Sequence, residues 1–164
     1  MQIRRIGGPD DAPLIEAELQ DGDVRLSLLN LGVVTRGWWV PCGGASVPVI
    51  LGYASPRAYL TDDCYIGAIV GRVANRTSGG RLQIDDTSHQ LSQNEGQTHV
   101  HGGLRGLSRR HWQVEGDSAA NAIRFTYRSP DGEEGYPGLV DFAVTVTLRG
   151  TCVRYDMAAT ADRL

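Results

Sequence analysis

Residues 140–157, VDFAVTVTLRGTCVRYDM, alternate apolar and polar side chains on both sides of a single glycine. A spacing of two is the period at which the side chains of a β-strand return to the same face. Gly150 separates the two alternating runs and supplies the turn between them. The stretch therefore predicts an antiparallel hairpin with one apolar face. The residues on that face are Val140, Phe142, Val144, Val146 and Leu148 on the first strand and Val153, Tyr155 and Met157 on the second.

The same period of two recurs along most of the chain, and no stretch of helical length repeats every 3.6 residues. The 21 glycines and seven prolines interrupt the alternating runs at short intervals. Many short strands separated by turn residues predict an all-β protein, an antiparallel β-sandwich or barrel. Residues 54–80 are less regular, and we expect loops there. The further alternating sets are Ile15, Ala17, Leu19; Val24, Leu26, Leu28; and Ile123, Phe125, Tyr127.

Composition excludes several classes of function. The net charge of −3 leaves no basic excess for a phosphate backbone, so neither nucleic acid nor an anionic membrane is an expected partner. All 16 basic residues are arginine, which excludes Schiff-base chemistry by a lysine. The chain has no apolar run long enough to span a bilayer and no signal peptide at its start, so we predict a cytoplasmic protein. Three scattered cysteines do not suggest a disulfide framework or a zinc site.

The stretch QNEGQTHVHGG, residues 93–103, places His99 and His101 two residues apart. On a strand both side chains would face the same side, so the pair could bind a metal ion, take part in catalysis or be incidental. A two-histidine metal site also needs a nearby carboxylate, and the next acid after the pair is Glu115. Gly102 and Gly103 allow close approach of the backbone to another group. The residues alone leave these readings open, although His99 is best explained as a satisfied polar residue at the rim of a sheet.

The stretch IGAIVGRVANRTSGGRL, residues 66–82, contains two glycines inside an apolar run, which indicates close backbone packing. It lacks the glycine patterns of phosphate-binding loops. Asn75 and Arg76 follow directly and offer the hydrogen-bonding groups that suit a ligand rich in hydroxyls. The alternative is a buried structural arginine that pairs with an acid such as Asp62 or Asp63.

The stretch SPDGEEGYPGLVDFAVTV, residues 129–146, contains two turn signals that lead into a strand. Glu133 and Glu134 could form a carboxylate pair for general acid–base chemistry. A solvated loop with turn glycines explains the same residues better.

Three segments in this order resemble the N-terminal half of the aldose 1-epimerase (galactose mutarotase) family. They are VPVILGYASPRAYLTDDCYIGAIVGRVANR at 47–76, QLSQNEGQTHVHGGLRGLSRRHWQV at 90–114 and SPDGEEGYPGLVDFAVTVTL at 129–148. The resemblance implies a large antiparallel β-sandwich that binds a sugar in a groove across one sheet. It implies interconversion of the α and β anomers of an aldohexose such as galactose or glucose, with no metal and no cofactor.

The resemblance also assigns roles to three residues. Asn75 and Arg76 match the Asn-Arg pair that contacts sugar hydroxyls in the family. His101 matches the histidine of the HGG motif, which lies near the ring oxygen and assists the chemistry as an accessory catalytic residue. His99 falls at a variable position and receives no role. A histidine suits proton transfer because its pKa lies near neutrality.

Members of the family are roughly twice as long as this chain, and their principal acid and base, a histidine and a glutamate, lie in segments that have no counterpart here. We therefore expect residues 1–164 to be the N-terminal portion of one truncated sandwich domain that is inactive, or nearly so, in isolation. A complementary C-terminal half or self-association could complete it. The alternatives are a non-catalytic carbohydrate-binding module and one half of a split epimerase.

Overall fold

The alternating runs form two antiparallel sheets that pack face to face in a computed structural model, which describes residues 1–163. The first sheet has five strands in sequence order, and each strand pairs with the next through a short connection. Its strands are β1 (Gln2–Gly7), β2 (Leu14–Asp21), β3 (Val24–Leu29), β4 (Thr35–Cys42) and β5 (Ala45–Pro48).

Two short strand pairs and three 3₁₀ helices lie between the two sheets in the sequence, and a fourth 3₁₀ helix lies between the second and third strands of the second sheet. Strand β6 (Arg76–Thr77) pairs with β9 (His99–Val100), and β7 (Arg81–Ile84) pairs with β8 (Thr87–Gln90). The 3₁₀ helices span Pro56–Leu60, Ser78–Gly80, Leu107–Arg109 and Glu133–Gly135. No other helix occurs in residues 1–163, and none of these four has the length or apolarity to cross a bilayer.

The second sheet contains the hairpin predicted from the sequence. Its four strands, also in sequence order, are β10 (Gln113–Asp117), β11 (Ala122–Ser129), β12 (Val140–Arg149) and β13 (Cys152–Ala161). Arg149 and Cys152 are the last paired residues before the turn, and Gly150 there has a positive φ of 54°. The register pairs the apolar positions of the two strands, such as Val146 with Tyr155, so both apolar sets lie on one face.

The main core fills the space between the two sheets. It is built from the predicted alternating positions of β2, β3, β11 and β12, together with side chains from the connecting loops. Its buried members are Ala17, Leu19, Val24, Leu26, Leu28, Val33, Leu107, Trp112, Ile123, Phe125, Val144, Val146 and Leu148. The all-β sandwich prediction is therefore confirmed in class and in most of its core positions.

Two details differ from simple alternation. Ser27 and Glu16, which the pattern places on the polar face, are buried. The cost of burying them is offset because Ser27 donates a 2.7 Å hydrogen bond to Glu16, and Arg4 and Arg36 also pair with that carboxylate. Met157, which the pattern places on the apolar face, is 63% exposed because no part of residues 1–163 covers that end of β13. All three cysteines are exposed and unpaired.

Candidate functional site

The Asn-Arg and HGG motifs meet at the short β6–β9 pair. Arg76 lies opposite Val100 in the register of that pair. The backbone N–H of His101 donates to the carbonyl of Asn75, and the backbone N–H of Asn75 donates to Nδ1 of the His101 ring, both at 3.0 Å. The structure thus brings Asn75, Arg76 and His101 into direct proximity, although the motifs are separate in the sequence.

The His101 ring is held in one orientation by a hydrogen bond and by contact with a neighbouring ring. Its Nδ1 accepts the Asn75 hydrogen bond, so in the neutral imidazole the proton is on Nε2. The Tyr65 ring packs edge-on against it, with the ring centroids 4.9 Å apart. Nε2–H is therefore the polar group that this ring can offer to a ligand.

Tyr65 is in turn positioned by Asp62. The buried Asp62 carboxylate accepts hydrogen bonds from the backbone N–H groups of Cys64 and Ile66 and from the Tyr53 hydroxyl, at 2.9–3.1 Å. The hydrogen bond that Asp62 accepts from the Tyr53 hydroxyl raises the pKa of Tyr53 to about 12. These contacts fix the loop that carries Tyr65, so Asp62 influences the candidate site only through Tyr65. Asp62 does not pair with Arg76.

Arg76 makes a side-on ion pair with Glu95. Its Nε and Nη2 donate to the two carboxylate oxygens at 2.6 and 2.7 Å, and the two side chains are 57% and 53% exposed. The hydrogen bond from Arg76 lowers the pKa of Glu95, and the charges of Arg76 and His101 lower it further. The same bond raises the pKa of Arg76. Glu95 is therefore an anion beside Arg76 and His101, and the alternative of a buried arginine paired with Asp62 or Asp63 is wrong.

The loop after His101 is fixed by backbone packing and by Glu134. A side chain at Gly102 would collide with the Gly71 carbonyl, and one at Gly103 would collide with Glu134. The Glu134 carboxylate accepts hydrogen bonds from the backbone N–H groups of Leu104 and Arg105 at 2.9 and 3.0 Å. The two glycines thus permit the close approach that the sequence predicted, and Glu134 holds the loop.

His99 serves the core and not the site. It is fully buried, its Nδ1 bonds the Ser92 carbonyl at 2.7 Å, and its Nε2 bonds the Tyr136 hydroxyl at 2.6 Å. Burial raises the pKa of Tyr136 to about 12, so the phenol is protonated and donates to Nε2. The positive φ of His101 ends the strand alternation, so the two rings reach different surroundings.

Two other charged residues in these segments belong to the scaffold. The Glu133 side chain is largely buried. It forms an ion pair with Arg110 at 2.8 Å and accepts a 2.5 Å hydrogen bond from the Tyr127 hydroxyl. Arg72 donates five hydrogen bonds, to the Ser129 hydroxyl and to four backbone carbonyls around the GYPG turn. Glu133 and Glu134 are thus neither a free acid–base pair nor a solvated loop.

The paired-histidine metal hypothesis finds no support in the geometry. Within residues 1–163, one group of three metal-type ligands lies close enough to share an ion, and it is Asp62, Asp63 and Cys64. Neither histidine belongs to it, and both Asp62 oxygens already accept backbone N–H groups.

No pattern in the sequence marks Tyr65 or Glu95 as a site residue. Glu95 lies in a turn, and Tyr65 lies in a loop whose sequence shows no periodic pattern. The one feature of the sequence that could have drawn attention to Tyr65 and Glu95 is that each lies close to a recognised motif. Closeness in sequence does not show in which direction a turn points a side chain.

Comparison with known proteins relates both the fold and the site segments to one family. The sequence model described as "Aldose 1-epimerase" matches residues 16–163. The chain is 38% identical over 144 residues to galactose mutarotase of Sus scrofa, and 34% identical over 158 residues to aldose 1-epimerase of Haemophilus influenzae. The crystal structure of galactose 1-epimerase from Lactobacillus acidophilus superposes with a TM-score of 0.85 at 26% identity.

These relatives are longer than the chain. The alignments cover 87% and 94% of this chain but 42% and 45% of the porcine and Haemophilus proteins. The superposition covers 99% of this chain and 48% of the Lactobacillus chain. The chain therefore spans somewhat under half the length of the relatives it matches.

Proposed function

The chain belongs to the aldose 1-epimerase family, and from that premise we propose that Asn75, Arg76 and His101 bind an aldohexose such as galactose or glucose. The observation that supports this most directly is the double hydrogen bond between Asn75 and His101, which places the imidazole beside the Arg76 strand. Exposed guanidinium N–H groups and an Nε2–H donor suit the oxygens of a sugar ring.

The chemistry that we propose is exchange of the two anomers. A base takes the proton of the anomeric hydroxyl while an acid protonates the ring oxygen, and the bond between that oxygen and C1 breaks to give the open aldehyde. Rotation about C1–C2 and the reverse proton transfers close the ring on the other face. His101 assists by donating from Nε2 near the ring oxygen. No step needs a metal or a cofactor.

We assign the principal acid and base to residues outside this chain. Within residues 1–163, Glu95 beside the site is bound to Arg76, and Glu134 at the loop after His101 is bound to backbone N–H groups. Residues 1–164 then supply the N-terminal part of one sandwich domain and sugar-positioning groups. General acid and base catalysis each contribute roughly 10²–10⁴ in rate, so their absence should leave little activity.

Two measurements test this proposal. Polarimetry of freshly dissolved α-galactose should show mutarotation close to the buffer rate, and strong acceleration would show that the chain contains its own acid and base. Sugar binding followed by NMR should weaken at least tenfold in Arg76→Gln and in His101→Ala. Arg128→Gln is the matched control, because Arg128 forms a similar exposed side-on pair with Asp141 at 2.8 and 2.9 Å. Equal losses in all three variants would contradict the assignment.

A second candidate, one half of a split epimerase, is favoured by the surface beside β13. In residues 1–163 this ten-residue strand pairs only with β12, so one edge carries free backbone donors and acceptors. An apolar cleft of about 400 Å³ lies next to it, and Trp38 in its wall has a buried Nε1 with no hydrogen-bond partner among the described residues. The cleft is lined by Thr35, Trp38, Ile50, Leu51, Ile66, Gly67, Val153 and Tyr155. Its occupant in this proposal is a complementary C-terminal half that adds a strand to β13.

A further inference from the structure

Glu95 places a negative charge beside the positive charge of Arg76 in the candidate site, and it belongs to neither the Asn-Arg nor the HGG motif. It lies in the turn between Asn94 and Thr98, where its backbone N–H and carbonyl both pair with Thr98. That turn precedes β9, whose partner β6 carries Arg76. Glu95 thus lies next to β9, and Arg76 lies in β6. The hydrogen bonding between these two strands therefore brings the carboxylate and the guanidinium together.

The pair leaves hydrogen-bonding capacity on both partners. Nε and Nη2 of Arg76 contact Glu95, and within residues 1–163 Nη1 has no hydrogen-bond partner. Each carboxylate oxygen accepts one hydrogen bond from Arg76 and can accept another. Both side chains are more than half exposed, so these groups face solvent. The pair therefore offers donors and acceptors side by side, which match the hydroxyl groups of a diol.

The same pair is unfavourable for an anion. The charges of Arg76 and Glu95 cancel at short range, and a ligand carboxylate or phosphate on the guanidinium would lie within a few ångströms of the Glu95 oxygens. Arg72, the nearest arginine in sequence, cannot compensate because its guanidinium already donates to five scaffold oxygens.

We propose that Glu95 is a specificity-determining residue that restricts this site to uncharged sugars by neutralising Arg76 and repelling anionic ones. The inference rests on the proposed function, since it concerns which sugars the Asn75, Arg76 and His101 site accepts. Neutral aldohexoses remain ligands, whereas uronic acids and sugar phosphates are excluded by charge and not by size.

The test compares galactose with galacturonate, which differ only in a hydroxymethyl or a carboxylate at C6. Dissociation constants are measured with the full chain by NMR titration. Glu95→Gln keeps the shape of the side chain and removes its charge. It should raise the affinity for galacturonate relative to galactose by roughly tenfold, the size expected for one charge at this range in a partly solvated site. The matched control Asp141→Asn breaks the comparable Arg128 pair and should leave the ratio within about twofold. An unchanged ratio in Glu95→Gln overturns the proposal.

A second titration, with inorganic sulfate followed at the backbone N–H resonances of Asn75 and His101, needs no sugar. Sulfate should bind Glu95→Gln roughly tenfold more tightly than the unaltered chain, and the gain should vanish in Glu95→Gln/Arg76→Gln. If neither sugar binds but sulfate binding rises, the proposed function is wrong while the control of Arg76 by Glu95 stands. If galactose binds and sulfate binding does not rise, the proposed function stands and the role of Glu95 is wrong.

Discussion

His99 and His101 have the same side chain and lie two residues apart, yet their surroundings differ because the backbone changes conformation between them. A strand would place both rings on one face, but the left-handed φ of 51° at His101 ends that alternation. One ring is buried between Ser92 and Tyr136, and the other lies at the surface beside Tyr65. The spacing alone therefore could not separate the structural histidine from the candidate functional one.

His99→Ala should lower the free energy of unfolding by about 2–3 kcal/mol, because it leaves the Ser92 carbonyl and the Tyr136 hydroxyl without their partner inside the protein. His101→Ala should cost less than about 1 kcal/mol, since the Asn75 N–H that loses its partner is exposed and can bond water. Urea denaturation measures both. A larger loss from His101→Ala would contradict the roles assigned here.

The Arg76–Glu95 pair should be visible as a titration shift. The native pKa of Glu95 lies below the ordinary glutamate value, chiefly because of the Arg76 hydrogen bond. A depressed native pKa means that the pair contributes fully above the unfolded-state pKa and is lost as pH falls through the native one. NMR of the Glu95 carboxyl carbon should show the low midpoint, and Arg76→Gln should return it toward the ordinary value. An unmoved midpoint in Arg76→Gln would show that the pair does not form in solution.

At the scale of elements, the positions of the strands could be predicted from the sequence, whereas the conformations of the loops could not. Alternation located β3, β11 and the β12–β13 hairpin because burial of one face is a local pattern. The loops of the candidate site depend on contacts between segments far apart in sequence, such as Glu134 with the loop after His101. Asn75, Arg76 and His101 could be named from motif resemblance, whereas Glu95 and Tyr65 could not, because turns direct their side chains.

The HGG loop should tolerate no side chain at Gly102. An added methyl group there would meet the Gly71 carbonyl, and the residue also has a φ of 91°. Gly102→Ala should therefore destabilise the protein by about 3 kcal/mol or more, from overpacking and backbone strain together. Gly96→Ala is the matched control, because Gly96 has a φ of 59° but open space around it, and should cost only about 1–2 kcal/mol. Equal costs in thermal unfolding would show that the close approach to Gly71 is not maintained.

At the scale of the whole molecule, the two sheets share one core, but the side of the sandwich at β13 is not covered by residues 1–163. The apolar pattern of the hairpin continues to Met157, although that side chain is 63% exposed. Alternation reports which face of a strand is apolar, but it cannot report whether the covering layer belongs to the same chain. The sequence could therefore predict the sandwich and not its extent.

An apolar cleft beside a free strand edge favours association, because both backbone groups and apolar surface gain partners. We expect sedimentation velocity to show concentration-dependent self-association of the purified chain. Leu51→Asp should weaken it at least tenfold without unfolding the protein, since Leu51 lines the cleft and is 77% exposed. Leu104→Asp is the control, because Leu104 is 63% exposed but lies in the loop after His101. If a complementary half is supplied, it should compete with self-association, and the same Leu51 change should reduce its binding. If the chain stays monomeric at high concentration and does not bind such a partner, the cleft is not an interface.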